Sequence, residues 1–279
     1  MGFFAKVENG WKICDLSLKV LKANKSLVLF PIISGISLVV ILTTFFIGLG
    51  WLNSWDIENV ASNASYNRLF YYLIVFLVYL INYTIVIFFN IALMHCVKLY
   101  FEGEEVSISK GIHYSMSRIG YILSWAAFAS TVGLILKIIQ DNVGKLGKII
   151  VGLLGWAWSI STFFVVPIVA YENRSPWDAL KDSVQMMKKL WGESLTASFS
   201  FGLIQFGALI VMIGVGFLFG FINPFLGIGI GIIGFVLILA TFSTLQSIFV
   251  SAVYHKVSSD INVKEFGNIE VDSLFSPKK

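Results

Sequence analysis

Four amide side chains lie inside long apolar stretches of this chain: Asn82, Asn90, Gln205 and Gln246. A polar group inside a bilayer is costly and tends to face protein or water. At a rise of 1.5 Å per residue, the last three lie about 12–15 Å from the same membrane surface. Two interpretations stay open. The amides fix a helical bundle by hydrogen bonds worth about 0.6 kcal/mol each, or they line a polar path or a ligand site.

Lysines offer a second kind of chemistry, because they are interleaved with apolar residues at helical spacing in segments 1–26, 104–118 and 175–192. This pattern predicts amphipathic helices that lie on a membrane surface. A Lys close to anionic headgroups contributes about 1 kcal/mol to binding. The predicted contacts to anionic lipid are Lys12, Lys19, Lys22, Lys181, Lys188 and Lys189.

The third amphipathic segment carries the clearest start signal. Ser175 precedes Pro176, and Asp178 follows three positions after the serine, which is the arrangement of an N-cap with proline at the first helical position. The apolar stripe predicted to face inward consists of Leu180, Val184, Met187 and Trp191.

The elements that must position these residues follow from composition. The chain has 279 residues, of which 57% are hydrophobic and 13% are charged. Soluble domains carry about 25% charged residues, so the chain reads as an integral membrane protein. Six apolar runs are long enough to span a bilayer as helices. They are predicted at 27–51, 69–95, 119–139, 146–171, 195–221 and 226–254.

Charge predicts the orientation of these spans. Sixteen of the 20 Lys and Arg residues lie in four segments that share one side of the membrane. These are 1–26, 96–118, 172–194 and 255–279. By the positive-inside rule, both termini and the 255–279 tail are cytoplasmic. Basic residues flank spans and do not form one face, so nucleic acid is not an expected partner.

Catalytic patterns are missing from the sequence. No span contains an internal Asp or Glu, and no serine-hydrolase, zinc-protease or phosphate-loop motif occurs. The run Gly227–Gly231 opens a span and is interpreted as a helix-packing surface. We therefore expect no enzyme activity, no catalytic or metal-binding residues and no cofactor.

An internal repeat is indicated by layout. Residues 106–111 resemble residues 177–182, which lie 71 positions further on, and Phe101-Glu102 parallels Tyr171-Glu172. Each unit would be an interfacial helix followed by two spans, and the N-terminal segment with spans one and two would be a third copy. The predicted fold is all-α, with six transmembrane helices and three cytoplasmic interfacial helices in a single domain.

Two stretches carry a family resemblance. Residues 165–172 and 175–183 resemble the membrane domain of bacterial glycerophosphodiester phosphodiesterases and related uncharacterised six-span proteins. Gly10-Trp11-Lys12 and Leu29-Phe30-Pro31 resemble the start of an uncharacterised prokaryotic family. The phosphodiesterase domain is absent, so the resemblance implies a membrane module without hydrolase activity, in a prokaryotic plasma membrane.

Two functions compete at this point. The first is a membrane-organising protein that binds lipids or a membrane partner through its cytoplasmic helices. The second is a channel or transporter for a small solute with an amide-lined path. Whether the chain forms a homo-oligomer stays open, as does the identity of any protein partner.

Overall fold

The computed structural model describes residues 15, 17–52, 68–189 and 191–258, and within these it is helical with no strand. Residues 17–23 are helical, and a 3-10 turn follows at Lys25–Val28. The remaining helices are α1 Leu29–Leu52, α2 Arg68–Glu102, α3 Ile108–Ser117, α4 Ile119–Asn142, α5 Lys145–Ser161, α6 Val165–Tyr171, α7 Pro176–Lys189, α8 Trp191–Ile222 and α9 Pro224–Ser258.

Within the described residues, six segments are long and apolar enough to cross a membrane, which confirms the predicted all-α membrane architecture. They are Lys25–Gly48, Arg68–Glu102, Ile119–Asn142, Lys145–Tyr171, Phe201–Ile222 and Pro224–His255. The two short helices α3 and α7 each stand before a pair of these segments in the chain.

The contacts divide the chain into two units. The first contains the residues up to Ile32, Asn90–Tyr114 and the residues from Gln185 onward. In it α8 and α9 pack along each other, the 3-10 turn packs on α9, and the rings of Phe201 and Phe249 lie 6.0 Å apart. The second unit contains Ile33–Phe89 and Ser115–Val184, and in it α4 packs against α5 and α6.

Helix α2 ends in a tight turn within the first unit. Gly103 adopts a φ of +77°, a left-handed conformation that glycine tolerates without strain. The amide of Gly103 donates to the Tyr100 carbonyl at 3.1 Å, and the amide of Glu104 donates to the Leu99 carbonyl at 2.8 Å. This glycine cap stops the helix and lets the chain turn into α3.

The fourth apolar segment, predicted as one span over 146–171, is interrupted in the structure. Helix α5 ends at Ser161 and α6 begins at Val165. Pro167 explains the interruption, because its ring clashes with the carbonyl one turn earlier and its nitrogen has no hydrogen to donate. The break leaves backbone groups that need other partners.

Candidate functional site

Helix α7 begins as its sequence predicts. The Ser175 hydroxyl accepts a hydrogen bond from the Asp178 amide at 3.3 Å and donates one to the Asp178 carboxylate at 2.6 Å. Pro176 occupies the first helical position, where a missing amide hydrogen costs nothing. The predicted N-cap is confirmed. It fixes the residue at which α7 begins and therefore where its basic residues lie on the helix.

The most buried face of α7 is formed by Ala179, Ser183 and Met187, spaced four residues apart. The Ser183 hydroxyl donates to the Ser161 carbonyl at 2.7 Å and accepts from the Phe164 amide at 3.1 Å. Both backbone groups lie at the break before Pro167. One side chain therefore pairs the groups that the break exposes and holds α7 against the fourth apolar segment.

The predicted inward stripe of α7 lies at the edge of this buried face. Leu180 and Val184 are half-buried, Met187 is buried, and the side chain of Trp191 lies outside the described residues. The reason is steric, because Ala179 and Ser183 are small and let the helix approach its neighbours closely. The larger apolar residues are then left partly open to the surroundings.

Helix α3 repeats this arrangement. Gly111 and Ser115 are buried, whereas Ile112 is half-buried and Met116 is 55% exposed. The Ser115 hydroxyl donates to the carbonyl of Phe88 in α2 at 2.8 Å. The helical residues 17–23 also contain a fully buried serine, Ser17. Sequence reasoning did not single out these serines, although each lies among apolar residues at helical spacing.

The predicted lipid contacts of α7 are open to the surroundings. Lys181, Lys188 and Lys189 are exposed. The Lys181 ammonium lies 5.6 Å from the centre of the Trp177 ring and 3.9 Å from the Asp178 carboxylate. Contacts this long leave the ammonium available to other anions.

Acidic residues are concentrated near the start of the same helix. Arg174 Nε lies 3.1 Å from the Glu172 carboxylate and 3.2 Å from that of Asp182. The hydrogen bond that Arg174 Nε donates to the Glu172 carboxylate raises the pKa of the guanidinium, which therefore stays charged. Arg118 contacts the end of the fourth apolar segment. It donates hydrogen bonds of 2.9 Å to the Ala170 carbonyl and 2.6 Å to the Asn173 amide oxygen. The end of α7 that carries Lys188 and Lys189 is thus the more positive end.

The N-terminal lysines are described in part. Lys19 is exposed and forms an ion pair with Asp15 at 3.4 Å, and Lys22 is exposed. Lys12 lies outside the described residues.

The predicted amide cluster is placed as follows. Asn90 is half-buried, and its amide oxygen accepts a hydrogen bond of 3.5 Å from the hydroxyl of Ser247 in α9. Gln246, next to Ser247, is exposed, whereas Gln205 and Asn82 are half-buried. Asn90 therefore does contact α9, but its partner is Ser247 and not the predicted Gln246.

Helix α9 contains a buried polar stripe that sequence reasoning missed. Thr244, Ser247, Ser251 and His255 recur every three or four positions, and all are buried. The Thr244 hydroxyl bonds the Ala240 carbonyl of its own helix at 2.8 Å. His255 is 1% exposed. The spacing was the signal, and it was overlooked because small hydroxyl residues are ordinary in membrane spans.

The geometry thus offers a basic, partly apolar helix surface and a buried polar stripe. A family model described as "Family of unknown function (DUF6159)" matches residues 69–262. The chain belongs to this family. No curated protein matches the chain.

The region shared with DUF6159 starts at α2 and runs past the end of α9. It includes α7, with Ser183 and the exposed lysines, and both partners of the Asn90–Ser247 contact. It leaves out α1 and the N-terminal segment. The candidate site residues named above, Lys12, Lys19 and Lys22 excepted, therefore lie within the family region.

Proposed function

We propose that this protein is a non-enzymatic membrane protein that binds anionic lipids through the short helices on its predicted cytoplasmic side and so organises the membrane or a membrane partner. The observation that carries the proposal is the surface of α7. Its exposed lysines lie beside the half-buried Leu180 and Val184, so one surface presents positive charge and hydrocarbon together. A helix at a membrane interface needs both.

The exposure of large apolar residues supports the same proposal. Trp177 in α7 is 56% exposed and Met116 in α3 is 55% exposed. In water such side chains would be expected to move toward the core, but at a bilayer surface they insert among headgroups and acyl chains. The likeness of residues 165–183 to the membrane domain of glycerophosphodiester phosphodiesterases fits a membrane module.

The setting proposed for this function is a prokaryotic plasma membrane with both termini in the cytoplasm. In that orientation, Lys181, Lys188 and Lys189 face the anionic cytoplasmic leaflet. Salt should weaken the interaction, because exposed charges are screened over about 10 Å at 0.1 M ionic strength.

The test replaces Lys181, Lys188 and Lys189 by Gln. At about 1 kcal/mol for each lysine, the triple variant should lose at least tenfold in retention of phosphatidylglycerol over phosphatidylcholine, measured by native mass spectrometry. The matched control replaces Arg68, Lys145 and Lys148 by Gln, which removes the same charge from the predicted outer side. Equal retention by the two triple variants would reject the proposal.

A second candidate function is passage of a small polar solute, as an oligomer or as a single chain. The observation that favours it is the Asn90–Ser247 contact beside the buried hydroxyls of α9. Reconstituted vesicles should then swell in glycerol or urea, and Asn90→Leu should abolish the swelling. Swelling no faster than that of protein-free vesicles would remove this candidate.

A further inference from the structure

A groove runs between α8 and α9 next to the turn at Asn223, toward the end of α8 that is remote from α7 in the sequence. It encloses about 650 Å³. Its lining contains no charged or strongly polar side chain, and all of it belongs to two membrane-crossing segments of one unit. The lining residues are Leu209, Met212, Ile213, Gly216, Phe217, Gly220, Phe221, Pro224, Gly227, Ile228, Gly231, Ile232 and Phe235.

Glycines bring the two helices together beside the groove. A Cβ atom added to Gly227 would lie 2.6 Å from the Gly216 carbonyl oxygen, and one added to Gly216 would lie 3.3 Å from the Gly227 carbonyl oxygen. The backbones thus meet where side chains are absent. A Cβ atom added to Gly220 or Gly231 would meet nothing within 4 Å, although both residues line the groove. These two glycines therefore leave space unfilled.

The groove has the length of one bilayer leaflet. From Leu209 to Phe221 the helix rises about 18 Å at 1.5 Å per residue, and half of a hydrocarbon core measures about 15 Å. This length suits an acyl chain that enters from one membrane surface.

The contact area leads to the same occupant. A half-cylinder of about 650 Å³ and about 18 Å length has a wall of about 270 Å², so a protein partner seated in it would bury about 540 Å² in total, well below the 1,200–2,000 Å² of stable interfaces. A phospholipid needs no such area, because the bilayer supplies it at high local concentration. The apolar lining also offers no partner to a headgroup.

We propose that this groove holds one acyl chain of a phospholipid from the leaflet that adjoins the α8–α9 turn. Phe217, Phe221 and Ile228 flank the chain, and Gly220 and Gly231 leave room for its methylenes. The lipid is held by its tail, independently of the headgroup contacts proposed for α7.

The experiment uses the full-length protein in phosphatidylcholine vesicles that contain a trace of phosphatidylcholine with a diazirine in one acyl chain. After illumination, mass spectrometry measures labelling of the segment 209–235. The reference is labelling around Val39 and Val40, which are exposed on α1. We expect several-fold more labelling in the groove segment than in the α1 reference.

Variants that fill the groove make the test specific. Gly231→Leu and Gly220→Leu each place a side chain in the open space, and each should lower groove labelling at least threefold. Gly229→Leu is the matched control, since a Cβ atom there also meets nothing within 4 Å but Gly229 does not line the groove. Comparable unfolding curves for all three variants would show that the helix pair is intact.

Three outcomes would overturn the proposal. The first is groove labelling no higher than at the α1 reference. The second is groove labelling that Gly231→Leu leaves unchanged although the unfolding curves agree. The third is a cross-link between the groove segments of two protein copies that is lost in Gly231→Leu, because it would assign the groove to a second copy.

Discussion

The hydroxyl of Ser183 lies 2.7 Å from the carbonyl oxygen of Ser161, and the two residues belong to different helices on either side of a chain turn. The same hydroxyl accepts the amide hydrogen of Phe164. Ser183 is fully buried, so no solvent replaces it if it is removed. A single side chain joins the short helix α7 to the proline-induced break in the fourth apolar segment.

Replacing Ser183 by Ala should therefore destabilise the protein. The change leaves a part-buried carbonyl and a buried amide with one partner fewer, at a cost of about 1–3 kcal/mol for an unsatisfied group. Reversible unfolding in mixed detergent micelles measures the free energy. The control is Ser159→Ala, because Ser159 is exposed and its hydroxyl donates to the Gly155 carbonyl of its own helix. Equal stability of the two variants would contradict the anchoring role.

A second prediction concerns the tight packing of α3 at Gly111. A Cβ atom there would lie 2.7 Å from the Ala92 carbonyl oxygen, 2.8 Å from Cys96 Sγ and 3.0 Å from the Phe30 ring. Because one of these atoms belongs to the backbone, Gly111→Ala should cost about 1–3 kcal/mol through overpacking. In Gly120→Ala the added methyl meets nothing within 4 Å.

For that control we expect unchanged or slightly higher stability, since Ala favours helix over Gly. Thermal unfolding of both variants in one detergent compares them. A Gly111→Ala protein as stable as the Gly120→Ala protein would show that α3 does not pack this closely.

The third prediction is the topology. Gly144 lies in the α4–α5 turn and is predicted to be outside, whereas the exposed Ser109 in α3 is predicted to be inside. The variants are made in a Cys14→Ser background. Cys96 is retained, because it forms no disulfide and is buried away from an impermeant reagent. An impermeant maleimide should label Gly144→Cys in intact spheroplasts and should label Ser109→Cys only after lysis. Labelling of Ser109→Cys in intact spheroplasts would show that the orientation is the opposite of the predicted one.

Sequence alone was enough for the spans and for the start of α7. A bilayer demands about 20 apolar residues in a helix, and Ser175 with Pro176 is a local signal that needs no tertiary context. The buried face of α7 was harder to predict. Hydrophobicity points to Leu180 and Val184, but close packing against spans selects small residues such as Ala179, which a hydrophobic pattern does not distinguish.

The contacts also suggest a different register for the predicted repeat. Ser115 and Ser183 are both buried and both bond a carbonyl of the preceding apolar segment. They lie 68 positions apart, as do the buried Gly111 and Ala179. Residue similarity favoured a spacing of 71, because apolar and charged letters dominate such a comparison while the packing depends on small residues. The repeat itself remains a prediction.

The partner of Asn90 was missed for a related reason. Amides are the costliest uncharged side chains in a membrane, so the sequence favoured Gln246 over the smaller Ser247 beside it. One position along a helix is a rotation of about 100°, which separates the exposed Gln246 from the buried Ser247.

The last prediction uses the Asn90–Ser247 pair to separate bracing from passage. If the hydrogen bond only fixes the bundle, Asn90→Ala and Ser247→Ala should each destabilise the protein, and a double-mutant cycle should give a coupling of about 0.6 kcal/mol. The matched control is the pair Asn90→Ala and Gln246→Ala. Since Gln246 is exposed, that cycle should give a coupling near zero.

The three single and two double variants of these cycles should be reconstituted and assayed for vesicle swelling in glycerol. Bracing predicts that any swelling is unchanged while the stabilities differ, because the hydroxyl and the amide bind each other and not a solute. If the pair lines a path for the solute, the swelling rate should fall in the Asn90 and Ser247 variants. The coupling between the two residues in the free energy of unfolding should then be small. A measured coupling near zero for Asn90 and Ser247, combined with unchanged swelling, would show that the 3.5 Å contact contributes to neither role.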